Sequence, residues 1–425
     1  MKLKVSLLCL ITAAYVLVFS IVVFNIGESL FRREENMKSV RKWMKKPGGY
    51  LNNESYITLN EVQLGTVYNG SSKRVQGDAK IQTLTPHRND TDIHSRKTQI
   101  TLSVKDCENK NLLVFYCGKQ IGLCGGLGDR QKGLVSVFLL SILTNRIFQI
   151  VMERPCDISN YLQPNVYDWH LCRKKLIVNK TIIVHRLVDN SAFRYSIPNL
   201  KIDNVFNKRI EFVSNNEYWV DEIKKHPAAR TAMPWIFNIS TAEIFRRVLQ
   251  DLFKPKENLQ SSVDEFLKKR GDKQLVCSHI RIGQNPSIPN DTILREGRPN
   301  VTLVTNYMKR FNDSSKYRIF VASDSDDVKR DVKSLFGEIV LTIPGKIVYV
   351  DKPDTSRNSC QELYNVLLEQ YILSRCELLI LTRSNFRVTS SYMRNTSDNL
   401  YCLFNKRKSI LPCRPDSLKT DFGLI

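Results

Sequence analysis

From Cys107 onward the chain repeats one pattern: a short apolar run closed by small or polar residues, then a stretch of amphipathic spacing. "NLLVFYC" (111–117), "NRIFQIVM" (145–152) and "KKLIVNKTIIV" (174–184) come first, and "KQLVCSHIRI" (273–282), "KYRIFVASD" (316–324), "GEIVLTIPG" (337–345) and "CELLILTRS" (376–384) come later. Continuous apolar runs of this length suit strands covered on both faces, which requires a parallel sheet with helices on each side. Between 215 and 270 the apolar residues instead fall three and four apart, as in "TAEIFRRVLQDLF" and "SSVDEFLKKR", and that stretch is predicted to be helical. "CQELYNVLLEQYILSR" (360–375) adds a helix between the last two strands. The expectation is an α/β protein of two halves joined by a helical stretch, with the cleft between them as the ligand site. At 425 residues the chain is long enough to bury two cores.

The N-terminal part has a different texture. Residues 5–26, "VSLLCLITAAYVLVFSIVVFNI", carry no charge over 22 positions, about 33 Å as a helix. They read as an uncleaved transmembrane anchor, because a signal peptide would have a shorter apolar core and a small-residue exit. Residues 28–106 are polar, include "KKPGG" and "NGSS", and show no sustained period, as a stem would. Seven Lys and Arg between 32 and 46 against two before the span would, by charge alone, hold the body in the cytosol. Against this stand nine Asn-x-Ser/Thr acceptors (Asn53, Asn69, Asn89, Asn179, Asn238, Asn290, Asn300, Asn312 and Asn395) and ten cysteines beyond Cys9. Together they suit an oxidising lumen, and a single-pass type II Golgi membrane protein is expected. Cys402 and Cys413 are close enough in sequence to pair locally. The net charge of +22 favours acidic partners such as anionic lipid, an acidic glycan or a diphosphate, and the anchor argues against nucleic acid.

Four strand ends carry chemistry. "GLCGGLGDR" (122–130) places a glycine turn between a strand and a helix. It lacks the third glycine of a dinucleotide loop, since Gln131 stands there, and it lacks the Gly-Lys-Ser/Thr of a P-loop. It can still aim backbone N–H groups at an anion, with Asp129 and Arg130 at the mouth, or it can serve only to pack the helix on its strand. "HIRIG" (279–283) puts His279 and Arg281 on one face of a hydrophobic strand, where an arginine fork can grip a diphosphate. In "FVASDSDD" (320–327), Ser and Asp are expected helix caps, while Asp324 and Asp326 also match the Asp-x-Asp pattern that holds a divalent metal. "LTRSNFRVTSS" (381–391) offers Ser384 and Asn385 at a helix start, flanked by Arg383 and Arg387. The last three lie at carboxyl ends of strands that would share one sheet edge, which makes their convergence more telling than any one of them.

In this order the motifs resemble the fucosyltransferase superfamily of α1,2-, α1,6- and protein O-fucosyltransferases. "GGLGDRQKGLVSVFLLSILTNRIFQI" is similar to its glycine-rich first motif, "HIRIG" to its His-x-Arg-x-Gly signature, "FVASDSDD" to its Ser/Thr-Asp strand end, and "ELYNVLLEQYILSRCELLILTRSNF" to its last segment. The resemblance spans roughly 111–393. It implies a GT-B fold of two Rossmann-like domains facing a cleft, with residues 1–27 as tip and anchor, 28–106 as stem, 107–265 as the acceptor-side domain and 266–425 as the donor domain. It also implies GDP-fucose as donor, a glycan or glycoprotein hydroxyl as acceptor, inversion at the anomeric carbon, and neither metal nor other cofactor. By matching position, Arg281 holds the β-phosphate and His279 and Gly283 adjoin the donor. Asp324 reads guanine, Ser384, Asn385 and Phe386 close the phosphate and base pocket, and Gly126, Gly128, Asp129 and Arg130 face the donor from the other domain. Gln284 stands where many members have an acidic residue, which leaves the catalytic base open among Glu296, Asp291 and Asp129. Two rival readings follow from single features: a metal-dependent transferase of another sugar from Asp324 and Asp326, and a catalytically lapsed, membrane-tethered glycan-binding protein from Gln284.

Overall fold

The computed structural model describes residues 54–58, 80–81, 100–101, 103–118, 124–176, 181–294, 297–345, 347, 350–351 and 359–422. The expected anchor at 5–26 lies outside these residues. Among the described residues no helix is long and apolar enough to cross a membrane.

Two sheets organise the chain. The first orders its strands β1 (Glu54–Thr58), β4 (Thr181–Arg186), β5 (Ile210–Ser214), β2 (Leu112–Cys117) and β3 (Ile147–Met152), parallel except for β1. The second runs β8 (Val340–Leu341), β7 (Tyr317–Ser323), β6 (Gln274–Ile280), β9 (Leu378–Leu381), β10 (Leu400–Phe404) and β11 (Ser409–Pro412), with only β11 antiparallel. All six residues of β2 and of β3 are buried, the signature of strands covered on both faces. In the second sheet, β6 is followed by β7 on one side and, later, by β9 on the other. The chain therefore reverses direction between β6 and β9, and the crevice outside their carboxyl ends is where an open parallel sheet places its ligand.

Two expected boundaries move. Residues 54–58, within the segment read as stem, form β1 and pair with β4, so the first sheet recruits chain from before Cys107. Helix α3 (Glu257–Lys268) runs through the boundary at 265 and packs on α5 (Ser359–Leu373), with the Tyr364 hydroxyl donating to Ser262 Oγ at 2.5 Å. A helix that buries Leu259, Val263 and Phe266 belongs with the sheet it covers, here the second. The run at 174–184 also divides, since Arg173–Leu176 is a short helix and the strand begins only at Thr181.

Helix α1 (Leu127–Leu143) joins the halves. It packs on β2 and β3, on α2 (Thr241–Leu252) and on α6 (Asn385–Tyr392), and is therefore buried almost all round. Five disulfides pair the ten cysteines from Cys107 to Cys413: Cys107–Cys172, Cys117–Cys124, Cys156–Cys360, Cys277–Cys376 and the expected Cys402–Cys413. Cys156–Cys360 links the two halves across 204 positions, a long closure that restricts the unfolded chain.

Candidate active site

At the crevice of the second sheet the strand ends interlock. Strand β6 stops at Ile280, and Arg281 leaves it with its backbone N–H donating to Thr382 Oγ1 at 2.8 Å, while the Thr382 N–H donates to the His279 carbonyl at 3.0 Å. Asp324, just beyond β7, accepts from the Ile282 N–H at 2.7 Å, from the Gly283 N–H at 2.8 Å and from Arg281 Nη1 at 2.6 Å. Arg281 Nη2 pairs with Asp291, whose side chain is fully buried. Two carboxylates on different loops therefore fix the plane of the guanidinium before any ligand arrives. Asp324 was expected to read guanine, but both its oxygens are engaged by the HIRIG loop, so it serves Arg281 instead. Burial pushes its carboxyl up from the usual aspartate range, against the opposing pull of Arg281 and the two backbone donors.

His279 is 6% exposed, tilts against Phe386 at 5.2 Å between ring centroids, and has no hydrogen-bond partner at Nδ1 among the described residues. Desolvation first, then the cations Arg281, Arg387 and Lys329, push its pKa down to about 3, so the imidazole is neutral. An orphaned, neutral ring nitrogen beside a pre-aimed arginine is a group waiting for a ligand.

The glycine turn behaves otherwise than its sequence suggests. Its N–H groups at Cys124 and Gly125 donate at 2.8 and 2.9 Å to Asp351 Oδ1, a buried carboxylate from the second half. Those two donors hold an internal anion rather than a ligand. Arg130, expected at the mouth, is 0% exposed: it pairs with Asp351 at 3.5 Å and donates to the carbonyls of Gly125, Arg154 and Val350. Its burial lowers the guanidinium pKa to about 10 despite Asp351. Gly128 is required by contact, because a Cβ there would lie 2.4 Å from the Phe386 backbone N at the start of α6. The backbones of α1 and α6 thus meet across the halves. At that meeting Asn385 Nδ2 donates to Asp129 Oδ1 at 2.5 Å, and Lys132 Nζ lies 3.3 Å from the same oxygen.

A cavity of about 310 Å³ opens here, within the range of small-molecule sites. From the first half it is lined by Gly126, Gly128 and Asp129, and from the second by His279, Arg281 and Asp324, with Ser384, Asn385 and Phe386 at the start of α6. Ser384 Oγ caps the helix by accepting from the Arg387 N–H at 3.3 Å, and Asn385 Oδ1 is without a partner among the described residues. Sequence reasoning missed Lys329 and Glu369, which join across the cavity wall at 2.8 Å. They sit inside helices α4 (Asp326–Phe336) and α5, where charged residues at ordinary amphipathic positions give no local signal.

Other expected site residues fall elsewhere. Asp291 is buried behind Arg281 and does not line the cavity, so it cannot reach an acceptor as a base. Gly283, at φ +79°, makes the turn under Asp324 and does not line the cavity either. Glu296 lies outside the described residues. Gln284 also stands off the cavity, its amide donating to the Pro289 carbonyl at 3.0 Å, so its side chain forms no part of the walls. Asp326 is exposed on the first turn of α4 and shares no site with Asp324, and no cluster of three or more His, Cys, Asp or Glu fit to hold a metal occurs among the described residues.

No protein-family model matches the sequence, and no curated protein matches it. Among solved structures the chain is similar to Arabidopsis thaliana FUT1 in complex with GDP, at 14% identity and a TM-score of 0.47 over 70% of each chain. It is similar to the Bradyrhizobium fucosyltransferase NodZ at 13% identity and a TM-score of 0.45, over 71% of this chain and 99% of that one. A third, POFUT1 in complex with GDP, is 11% identical with a TM-score of 0.35, over 69% of this chain and 98% of the other.

Proposed function

We propose that the chain transfers fucose from GDP-fucose to a hydroxyl of a glycan or glycoprotein, with inversion at the anomeric carbon. The observation that carries this reading is the convergence on one cavity of a doubly anchored arginine, a neutral unpartnered histidine, the start of a capped helix and a carboxylate from the opposite half. These are the parts a departing nucleoside diphosphate and an attacking hydroxyl require. The bond from fucose C1 to the β-phosphate oxygen breaks and its electron pair leaves on GDP. The acceptor oxygen bonds to C1 from the opposite face, and its proton passes to a carboxylate. Arg281 meets the charge growing on the β-phosphate, and its fixed plane removes the cost of reorganising at that moment. The start of α6 adds backbone donors and a favourable dipole for the same phosphate.

Asp129 is the carboxylate we assign as general base. Of the acidic residues lining the cavity, Asp324 is committed to Arg281 and Glu369 pairs with Lys329. Asp129 is held through Oδ1 alone, which leaves Oδ2 for an acceptor proton.

Purified full-length protein is expected to be stabilised by GDP and by GDP-fucose, by about 2.7 kcal/mol at a hundredfold excess over the dissociation constant, with EDTA making no difference. Thermal-shift stabilisation by UDP instead, or only with manganese present, would remove the fucose reading.

We further infer that the body lies in the lumen of the secretory pathway, held to the Golgi membrane by residues 5–26. The support is the set of five disulfides together with the nine glycosylation acceptors. Protein made in animal cells should lose mass on treatment with an N-glycosidase, and an unchanged mass puts the body in the cytosol.

A further inference from the structure

Helix α6 begins at the active cavity, and just beyond its other end the two halves enclose a second cavity, of about 450 Å³. From the first half, α2 and the residue after it supply Leu249, Gln250, Asp251 and Phe253, and the second half supplies Met393 and Asn395. Asn395 is at once part of this wall and the acceptor of the triplet Asn395-Thr396-Ser397, all three residues of which are exposed. We propose that an N-linked glycan on Asn395 folds back into the cavity and braces the two halves through its first sugars, an inference that rests on the lumenal placement above. The Nδ2–C1 bond forms as the bond from C1 to phosphate in a lipid-linked oligosaccharide diphosphate breaks, the electron pair leaving on the phosphate and a proton leaving Nδ2. Gln250 Nε2 donates at 3.3 Å to Asn395 Oδ1, which leaves Nδ2, the atom that takes the sugar, unengaged among the described residues. The walls suit a sugar on two counts. Leu249, Phe253 and Met393 offer an apolar surface to the C–H face of a pyranose ring. Asp251 offers a half-buried carboxylate that accepts no hydrogen bond among the described residues, and desolvation, against the pull of Arg247, pushes that carboxyl up to about 7. The N-acetylglucosamine that begins an N-linked glycan carries hydroxyl and amide donors that supply the missing bonds and offset the cost of burying the carboxylate.

A glycan that merely projects into solvent is the alternative, and two measurements on full-length protein made in animal cells separate it from a seated one. Treated with N-glycosidase without denaturation, the protein should lose its Asn395 glycan at least about tenfold more slowly than the glycans of the exposed acceptors Asn300 and Asn312, because the sugar must first leave the cavity. After denaturation the difference should vanish. Ser397→Ala removes the triplet while keeping Asn395 and its bond to Gln250, and Ser314→Ala does the same at Asn312 as a matched control. The first variant should melt about 2 °C or more below the second. Equal release from the native protein, or equal melting of the two variants, overturns the inference. Asn395 found bare while other acceptors carry glycan also overturns it and leaves the lumenal reading intact, whereas a protein bare at every acceptor removes both.

Discussion

Asp129→Asn lowers transfer from GDP-fucose by two to four orders of magnitude, the usual contribution of a positioned base, while GDP binding stays near the parental value. The asparagine is isosteric and still accepts the bond from Asn385 that ties α1 to α6, so the fold is kept. Retention of at least a third of the parental rate would move the base elsewhere, with Glu296 the next residue to test.

Arg281→Lys is expected to cost two or more orders of magnitude in turnover, because an ammonium keeps the charge but loses the planar fork. The structure adds a stability term. Arg281 answers both Asp291 and Asp324, and a lysine reaches one of them well, leaving the other carboxylate poorly compensated. Breaking a buried pair typically costs about 3–5 kcal/mol, and here the surviving attraction places the loss below that range. Rates are therefore compared well under the variant's melting temperature. A protein that melts slightly earlier yet transfers fucose at close to the parental rate would reduce Arg281 to a structural tie between the HIRIG loop and β7, and the mechanism would lose its central charge.

Much of this site was legible in the chain because strand ends are local features. A run of buried residues that stops at Ile280, Ser323 or Leu381 announces where a parallel strand meets its edge, and the polar residues just beyond are then neighbours by topology. His279, Arg281, Asp324, Ser384 and Asn385, singled out on that logic, line one cavity, and Phe386, to which only the resemblance pointed, lines it with them. The glycine-rich turn was recognised as a turn for the same reason. Lys329 and Glu369 were not legible, since a charged residue on an amphipathic helix looks the same whether it faces water or a cleft.

The sequence by itself determined the α/β class, the two groups of strands, the oxidised cysteines and the edge on which ligand-capable residues gather, all of which follow from periodicity and residue chemistry within short windows. Tertiary structure alone decided how the charges were answered. Asp351 fills the N–H groups of the glycine turn from 226 positions or more away, and Asp291 and Asp324 jointly lock Arg281. Adjacent residues also take opposite fates: Asp129 lines the cavity while Arg130 is buried against the second half. Successive residues of a helix point about 100° apart, so a sequence guarantees that the two diverge. Which of them faces the ligand is set by the docking of α1 against α6, a contact made possible by Gly128 and carrying no period that a linear reading could detect.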